Sequence, residues 1–123
     1  MLTVNSVGDA PDFLINGSCD TGATIAGGAA ECSLRAAIQE ANATPEFDEI
    51  RFDIPGCPGG ICVIDIVTAG GNFLPDLIAP VSIDGSTQPG NAGVCDTPIP
   101  DRPAYRVVLD NERDCTQMKI QVV

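Results

Sequence analysis

The residues able to do chemistry in this chain are carboxylates and cysteines, because it contains no histidine. That removes any Ser-His or Cys-His nucleophile pair. Asp53, Asp65, Asp84 and Asp110 fall in, or at the ends of, segments that read as strands. On adjacent strands, Asp84 and Asp110 would stand about 5 Å apart, which suits the paired carboxylates of a retaining glycosidase. A plainer reading outweighs this one. Asp84 precedes Gly85 and Asp110 precedes Asn111, and Asp in that position bonds its own backbone in a turn. No Arg or Lys on the same rungs is positioned to complete a lyase site, and aromatic residues for sugar stacking are scarce. Gly27-Gly28 precedes a helix but lacks the Lys-Ser/Thr of a phosphate loop, and there is no Asp-x-Asp-x-Asp-Gly calcium loop. No catalytic residue, cofactor or metal is therefore expected.

The six cysteines are Cys19, Cys32, Cys57, Cys62, Cys95 and Cys115. None forms a C-x-x-C pair, and with no His a zinc site is not expected. An even count in a small acidic chain fits an oxidising compartment. Six cysteines allow fifteen pairings, and sequence alone does not choose among them. Nearest-neighbour pairing is the expectation: Cys19–Cys32, Cys57–Cys62 and Cys95–Cys115. Each would close a loop containing Gly or Pro.

A chain of 123 residues with 44% apolar content suits one domain, 1–123, with a buried core. With four Phe, one Tyr and no Trp, that core must be aliphatic. The net charge of −11 repels nucleic-acid phosphates and anionic membranes, so neither is expected as a partner. No apolar run is long enough to span a membrane. Met1-Leu2-Thr3 does not open a signal peptide, so an exported protein would have its leader outside this sequence.

The elements that must position these residues begin with one helix, expected over 33–42. Leu34, Ala37, Ile38 and Ala41 fall at i, i+3, i+4 and i+7, one apolar face. Ser33 is a suitable N-cap, and Asn42 and Pro45 mark the stop. Arg35 and Glu40 are expected to face away or pair locally, and Ala36 to face solvent. A helix this short needs a surface to lie on. Residues 2–7 alternate as a half-buried strand, and 8–31 form a long loop that needs a tether. Residues 48–54 alternate with Ile50, Phe52 and Ile54 inward. Further strands are expected at 61–67, 80–85, 105–111 and 117–123, with a Pro75-broken bend between Phe73 and Ile78.

Val81-x-Ile83-Asp84-Gly85 and Val107-x-Leu109-Asp110-Asn111 share one alternating phase and one ending. Their offset suits one coil of a parallel β-solenoid. The alternative is an antiparallel sandwich held by disulfides; the spacing favours the solenoid.

Four runs then carry a family resemblance: Cys19-Asp20-Thr21-Gly22; Cys32-Ser33-Leu34-Arg35-Ala36-Ala37-Ile38-Gln39-Glu40-Ala41-Asn42; Ile50-x-Phe52-x-Ile54-Pro55; and Val81-x-Ile83-Asp84-Gly85-Ser86-Thr87-Gln88-Pro89-Gly90. Together, over about residues 2 to 110, they resemble the CSLREA-type N-terminal module of bacterial right-handed parallel β-helix surface proteins. Ala36 departs from the family, which often has Glu there, and the family continues into many further coils. The resemblance implies a mainly β fold, the start of a right-handed parallel β-helix, with residues 1–47 as an N-terminal cap and 48–123 as the first coils. Leu34, Ala37, Ile38 and Ala41 would seal the open end. Parallel β-helix pectinases and polysaccharide lyases share that architecture, so the competing expectation is a fragment of a carbohydrate-active enzyme using the Asp ladder.

The last strand places Met118, Ile120 and Val122 on one face with no cap after it. That edge is expected to meet further β-helix coils, a second copy of the chain or another strand. The expected role is thus non-catalytic and structural: an exported, extracellular or cell-surface module serving surface architecture, adhesion or end-to-end assembly, with possible polysaccharide contact. Asn16-Gly17-Ser18 and Asn42-Ala43-Thr44 fit the N-glycosylation pattern, but both are read as chance, Asn42 being better explained as the helix end.

Overall fold

A computed structural model describes residues 1–57, 62–66 and 74–89, and the backbone of 106–111 and 118–122. The elements run β1 (Leu2–Val4), α1 (Leu34–Ala43), β2 (Asp48–Phe52), β3 (Cys62–Asp65), β4 (Val81–Asp84), a 3₁₀ turn (Gly85–Thr87), β5 (Arg106–Asn111) and β6 (Met118–Val122).

Alternation decides the first sheet. Leu2 and Val4 point into the core while Thr3 is exposed, and Ile50, Phe52 and Ile54 are buried on the same side. β1 and β2 are parallel with Leu2 opposite Ile50 and Val4 opposite Phe52. β4 joins the far side of β2, also parallel, with Ile50 opposite Ile83. Parallel neighbours require a long crossover, and residues 5–47 supply it between β1 and β2.

Helix α1 lies in that crossover. The Ser33 hydroxyl accepts from the Ala36 backbone N–H at 3.0 Å, as an N-cap should. Thr44 closes the C-terminal end, its N–H donating back to the Ala41 carbonyl, and Pro45 follows. Leu34, Ala37, Ile38 and Ala41 join the core formed by Leu2, Val4, Ile50, Phe52, Ile54, Cys62, Ile64 and Ile66. Burying a large aliphatic side chain there is worth about 1.5–3 kcal/mol.

The expectation of a right-handed parallel β-helix is overturned. Three strands, β1-β2-β4, form a parallel sheet, whereas β3-β5-β6 form a separate antiparallel one. Among the described residues no coil stacks on another. β5 does not follow β4 as a second rung; it pairs antiparallel with β3, Val107 opposite Ile64. The pairing of β5 with β6 has a chain-length reason: only 112–117 separate them, and a parallel crossover takes about a dozen residues. The shared Asp-Gly and Asp-Asn endings are local turn chemistry, not a solenoid period. With the solenoid goes the reading of 48–123 as its first coils. The sandwich alternative fails too, since the helix packs with a parallel sheet.

The helix is also more deeply enclosed than its apolar stripe implies. Arg35, Ala36 and Glu40 are buried, with Ala36 at 0% exposure. Loop residues 9–17 run along the outer face of α1, so the side expected to meet solvent meets the chain itself.

Candidate functional site: fastenings of the crossover loop

The polar residues that the fold brings together lie where loop 5–33 meets β1 and α1. Arg35 reaches out of the first turn of α1 to Asp9, with Nε to Oδ1 at 3.1 Å and Nη2 to Oδ2 at 3.1 Å. The pair is bidentate, and the residues are 8% and 7% exposed. Beside it the Ser33 hydroxyl, already the helix cap, donates to the Ala10 carbonyl at 2.6 Å. One turn along, Gln39 Oε1 accepts from the Asp12 N–H at 2.8 Å. Glu40, only 2% exposed, accepts from two consecutive backbone donors: Asn16 N–H to Oε1 at 2.9 Å and Gly17 N–H to Oε2 at 2.7 Å. Arg35 and Gln39, four residues apart, are neighbours on one helix face, and Glu40 follows Gln39 directly, so residues 9–17 reach all three.

The loop is also tied to itself. Asp12 accepts from Leu14 N–H through Oδ2 and from Asp20 N–H through Oδ1. Glu31 accepts hydroxyl protons from Ser6 at 2.6 Å and Thr21 at 2.5 Å. The Cys19–Cys32 disulfide pins the loop to the helix start.

Three side-chain amides act as substitutes for peptide groups. Asn5 donates to the Ala30 carbonyl at 2.9 Å and accepts from Cys32 N–H at 2.8 Å. Asn42 donates to the Asp76 carbonyl at 2.8 Å and accepts from Ile78 N–H at 3.0 Å. Gln88, 3% exposed, takes both backbone groups of Ile54, donating to its carbonyl at 2.7 Å and accepting its N–H at 2.8 Å. Thr87 accepts from Phe52 N–H at 2.8 Å and donates to the Asp84 carbonyl at 2.7 Å. β4 ends at Asp84, yet Thr87 and Gln88 continue its pairing, Thr87 with Phe52 at the end of β2 and Gln88 with Ile54 beyond it. An amide carries one acceptor and two donors, so it can stand in for a strand at a single position.

Cys19–Cys32 and Cys57–Cys62 are joined, in agreement with nearest-neighbour pairing. Cys95 and Cys115 lie outside the described residues. Leu34, Ala37, Ile38 and Ala41 are all in the core. Arg35 and Glu40 point into the structure, contrary to expectation, because the loop supplies their partners. Ala36 is fully buried as well, so the expectation that it faces solvent is also corrected. The carboxylates of the proposed ladder are not brought together along one ladder. Asp84 stands opposite Arg51 between β2 and β4, Asp110 opposite Lys119 between β5 and β6, and Asp65 opposite Arg106 between β3 and β5. Asp53 is exposed after β2. Met118, Ile120 and Val122 belong to β6, at one edge of the antiparallel sheet; their side chains lie outside the described residues.

Sequence reasoning passed over Asn5, Asp9, Gln39, Thr87 and Gln88. The signal was present in the helix motif, whose polar members Arg35, Gln39, Glu40 and Asn42 exceed what one solvated face of a short helix needs.

No helix among the described residues is long and apolar enough to cross a membrane. Among them, no group of His, Cys, Asp or Glu is arranged to hold a metal ion. No family model, curated protein or solved structure matches the chain. The resemblance to the CSLREA-type module therefore stands on the quoted residues alone.

Proposed function

We propose that this chain is a non-catalytic structural module of an exported protein, serving extracellular or cell-surface architecture. The observation that carries the reading is the use made of the buried polar groups. Glu40, Arg35, Asp9 and Gln88 bond the chain's own backbone or each other, which is what fastening requires and what a general acid, base or nucleophile facing substrate does not do. Two disulfides suit an oxidising compartment such as the cell exterior.

The module joins larger structures through strand edges. β6 lies at an edge of its sheet in the order β3-β5-β6, and an edge strand is a template for another strand. A second copy meeting β6 through a different surface would build an open assembly. Sedimentation across a concentration series tests this together with an Ile120→Lys variant. The parent is expected to associate and the variant to stay monomeric. A parent that is monomeric throughout removes the assembly role. Release of new reducing ends from polysaccharide substrates by the purified parent would replace the structural reading with an enzymatic one.

A further inference from the structure

Asn16-Gly17 is the one Asn-Gly dipeptide in the chain. Its chemistry is intrinsic to that pair. Gly has no side chain to shield its nitrogen, so the Gly17 nitrogen, after losing its proton to hydroxide, can attack Asn16 Cγ. A C–N bond forms, the Cγ–Nδ2 bond breaks, and the amide leaves as ammonia after taking a proton. Water then adds to either carbonyl of the resulting succinimide, leaving Asp or isoaspartate at position 16. The net change is one water consumed and one ammonia released, with no redox partner.

The fold opposes each part of that reaction. The Gly17 N–H is donated to Glu40 Oε2 at 2.7 Å, so the nucleophile is held as a donor beside a negative charge that disfavours its deprotonation. Asn16 N–H is donated to Glu40 Oε1 at 2.9 Å, which fixes the backbone on the other side of the reacting bond. Asn16 Oδ1 accepts from Ser18 N–H at 2.9 Å, and the carboxamide must give up that bond to turn toward Gly17. Glu40 is 2% exposed, so water does not readily replace it as the partner. Asn16 and Gly17 themselves are exposed. Hydroxide and water reach them, and the restraint comes from bonding rather than burial.

We propose that Asn16 is a latent deamidation site, kept closed by Glu40 and opened when the crossover loop is released. The Cys19–Cys32 disulfide sets when that occurs, because it anchors the loop just past the site to the start of the helix that carries Glu40. Reduction removes that anchor and lets the loop leave Glu40, and conversion then makes the release permanent. It adds one negative charge near Glu40, and the isoaspartate form inserts a backbone methylene that moves Gly17 N–H out of reach of Oε2. An episode of reduction is thereby recorded as a lasting change in the loop.

The test is peptide mapping by mass spectrometry of residue 16 during incubation in mildly alkaline buffer. The parent is compared in oxidised, reduced and denatured forms, alongside Glu40→Gln and an Ile38→Val control that lowers the melting temperature without touching Glu40. The oxidised parent should convert at least about tenfold more slowly than the denatured chain, the rate equivalent of one charge-assisted hydrogen bond. Glu40→Gln and the reduced parent should both approach the denatured rate, while Ile38→Val stays near the oxidised parent. Should Glu40→Gln not fold, Glu40→Asp, which retracts the carboxylate by one methylene, carries the same expectation. An oxidised parent as fast as the denatured chain, a reduced parent as slow as the oxidised one, a folded Glu40 variant no faster than the parent, or an Ile38→Val control as fast as the Glu40 variant each overturns the proposal.

Discussion

Arg35 and Asp9 form a bidentate, buried ion pair that joins the first turn of the helix to the loop leaving β1, with both nitrogen-to-oxygen distances at 3.1 Å. Removing one partner leaves the other charge buried. Asp9→Ala is therefore expected to destabilise the protein by about 3–5 kcal/mol. Urea unfolding measures it. A loss below about 1 kcal/mol, the range of an exposed pair, would mean that the loop does not enclose Arg35 in solution.

Gln88→Leu should cost about 1–3 kcal/mol, because the change strands the N–H and carbonyl of Ile54 inside the structure. Gln88→Glu keeps the acceptor for Ile54 N–H and loses the donor to its carbonyl. It should be destabilising at neutral pH by thermal melting. Equal stability of parent and Gln88→Leu would show that water serves Ile54 equally well.

Ala36→Glu restores the residue often found at this position in the resembling family. Here it would place a carboxylate where Ala36 has no exposure, under the loop. We expect a destabilisation above about 2 kcal/mol, or a loop displaced enough to raise protease cleavage within 9–17. Unchanged melting and cleavage would indicate that the loop opens freely over Ala36.

Non-reducing peptide mapping should recover Cys19–Cys32 and Cys57–Cys62, and the nearest-neighbour rule extends to Cys95–Cys115. The double variant Cys19→Ser, Cys32→Ser should lose about 3 kcal/mol by the loop-entropy argument. It should be cut by protease first within 8–31. Cleavage elsewhere first would show that side-chain bonds alone hold the loop.

The helix and the strand positions were legible because their signals are local. Ser33 caps, Leu34-Ala37-Ile38-Ala41 repeat at helical spacing, and Ile50-Phe52-Ile54 alternate. The partners of the strands were not legible. Val81-Ile83 and Val107-Leu109 carry the same pattern, yet one joins a parallel sheet and the other an antiparallel one. Alternation fixes which face is buried but says nothing of the neighbour across it. The fastenings were hidden for a different reason. Asp9 and Arg35, or Ile54 and Gln88, are far apart in sequence, and nothing in either residue names its partner. Only the surplus of polar residues on α1 pointed to them. The inward turn of Arg35 and Glu40 follows from the loop packing over a helix face that would otherwise meet water.

Loop 5–33 and helix α1 form one fastened unit with the parallel sheet. Native-state hydrogen exchange of the oxidised protein tests it most directly. The amides of Asn16, Gly17, Asp20 and Cys32 should open only with the core amides of β2, at a shared free energy and a shared denaturant dependence. Loop amides that exchange at near-unfolded rates while the Ile50 and Phe52 amides stay protected would contradict it, and the loop would then be a mobile segment suited to recognition rather than support.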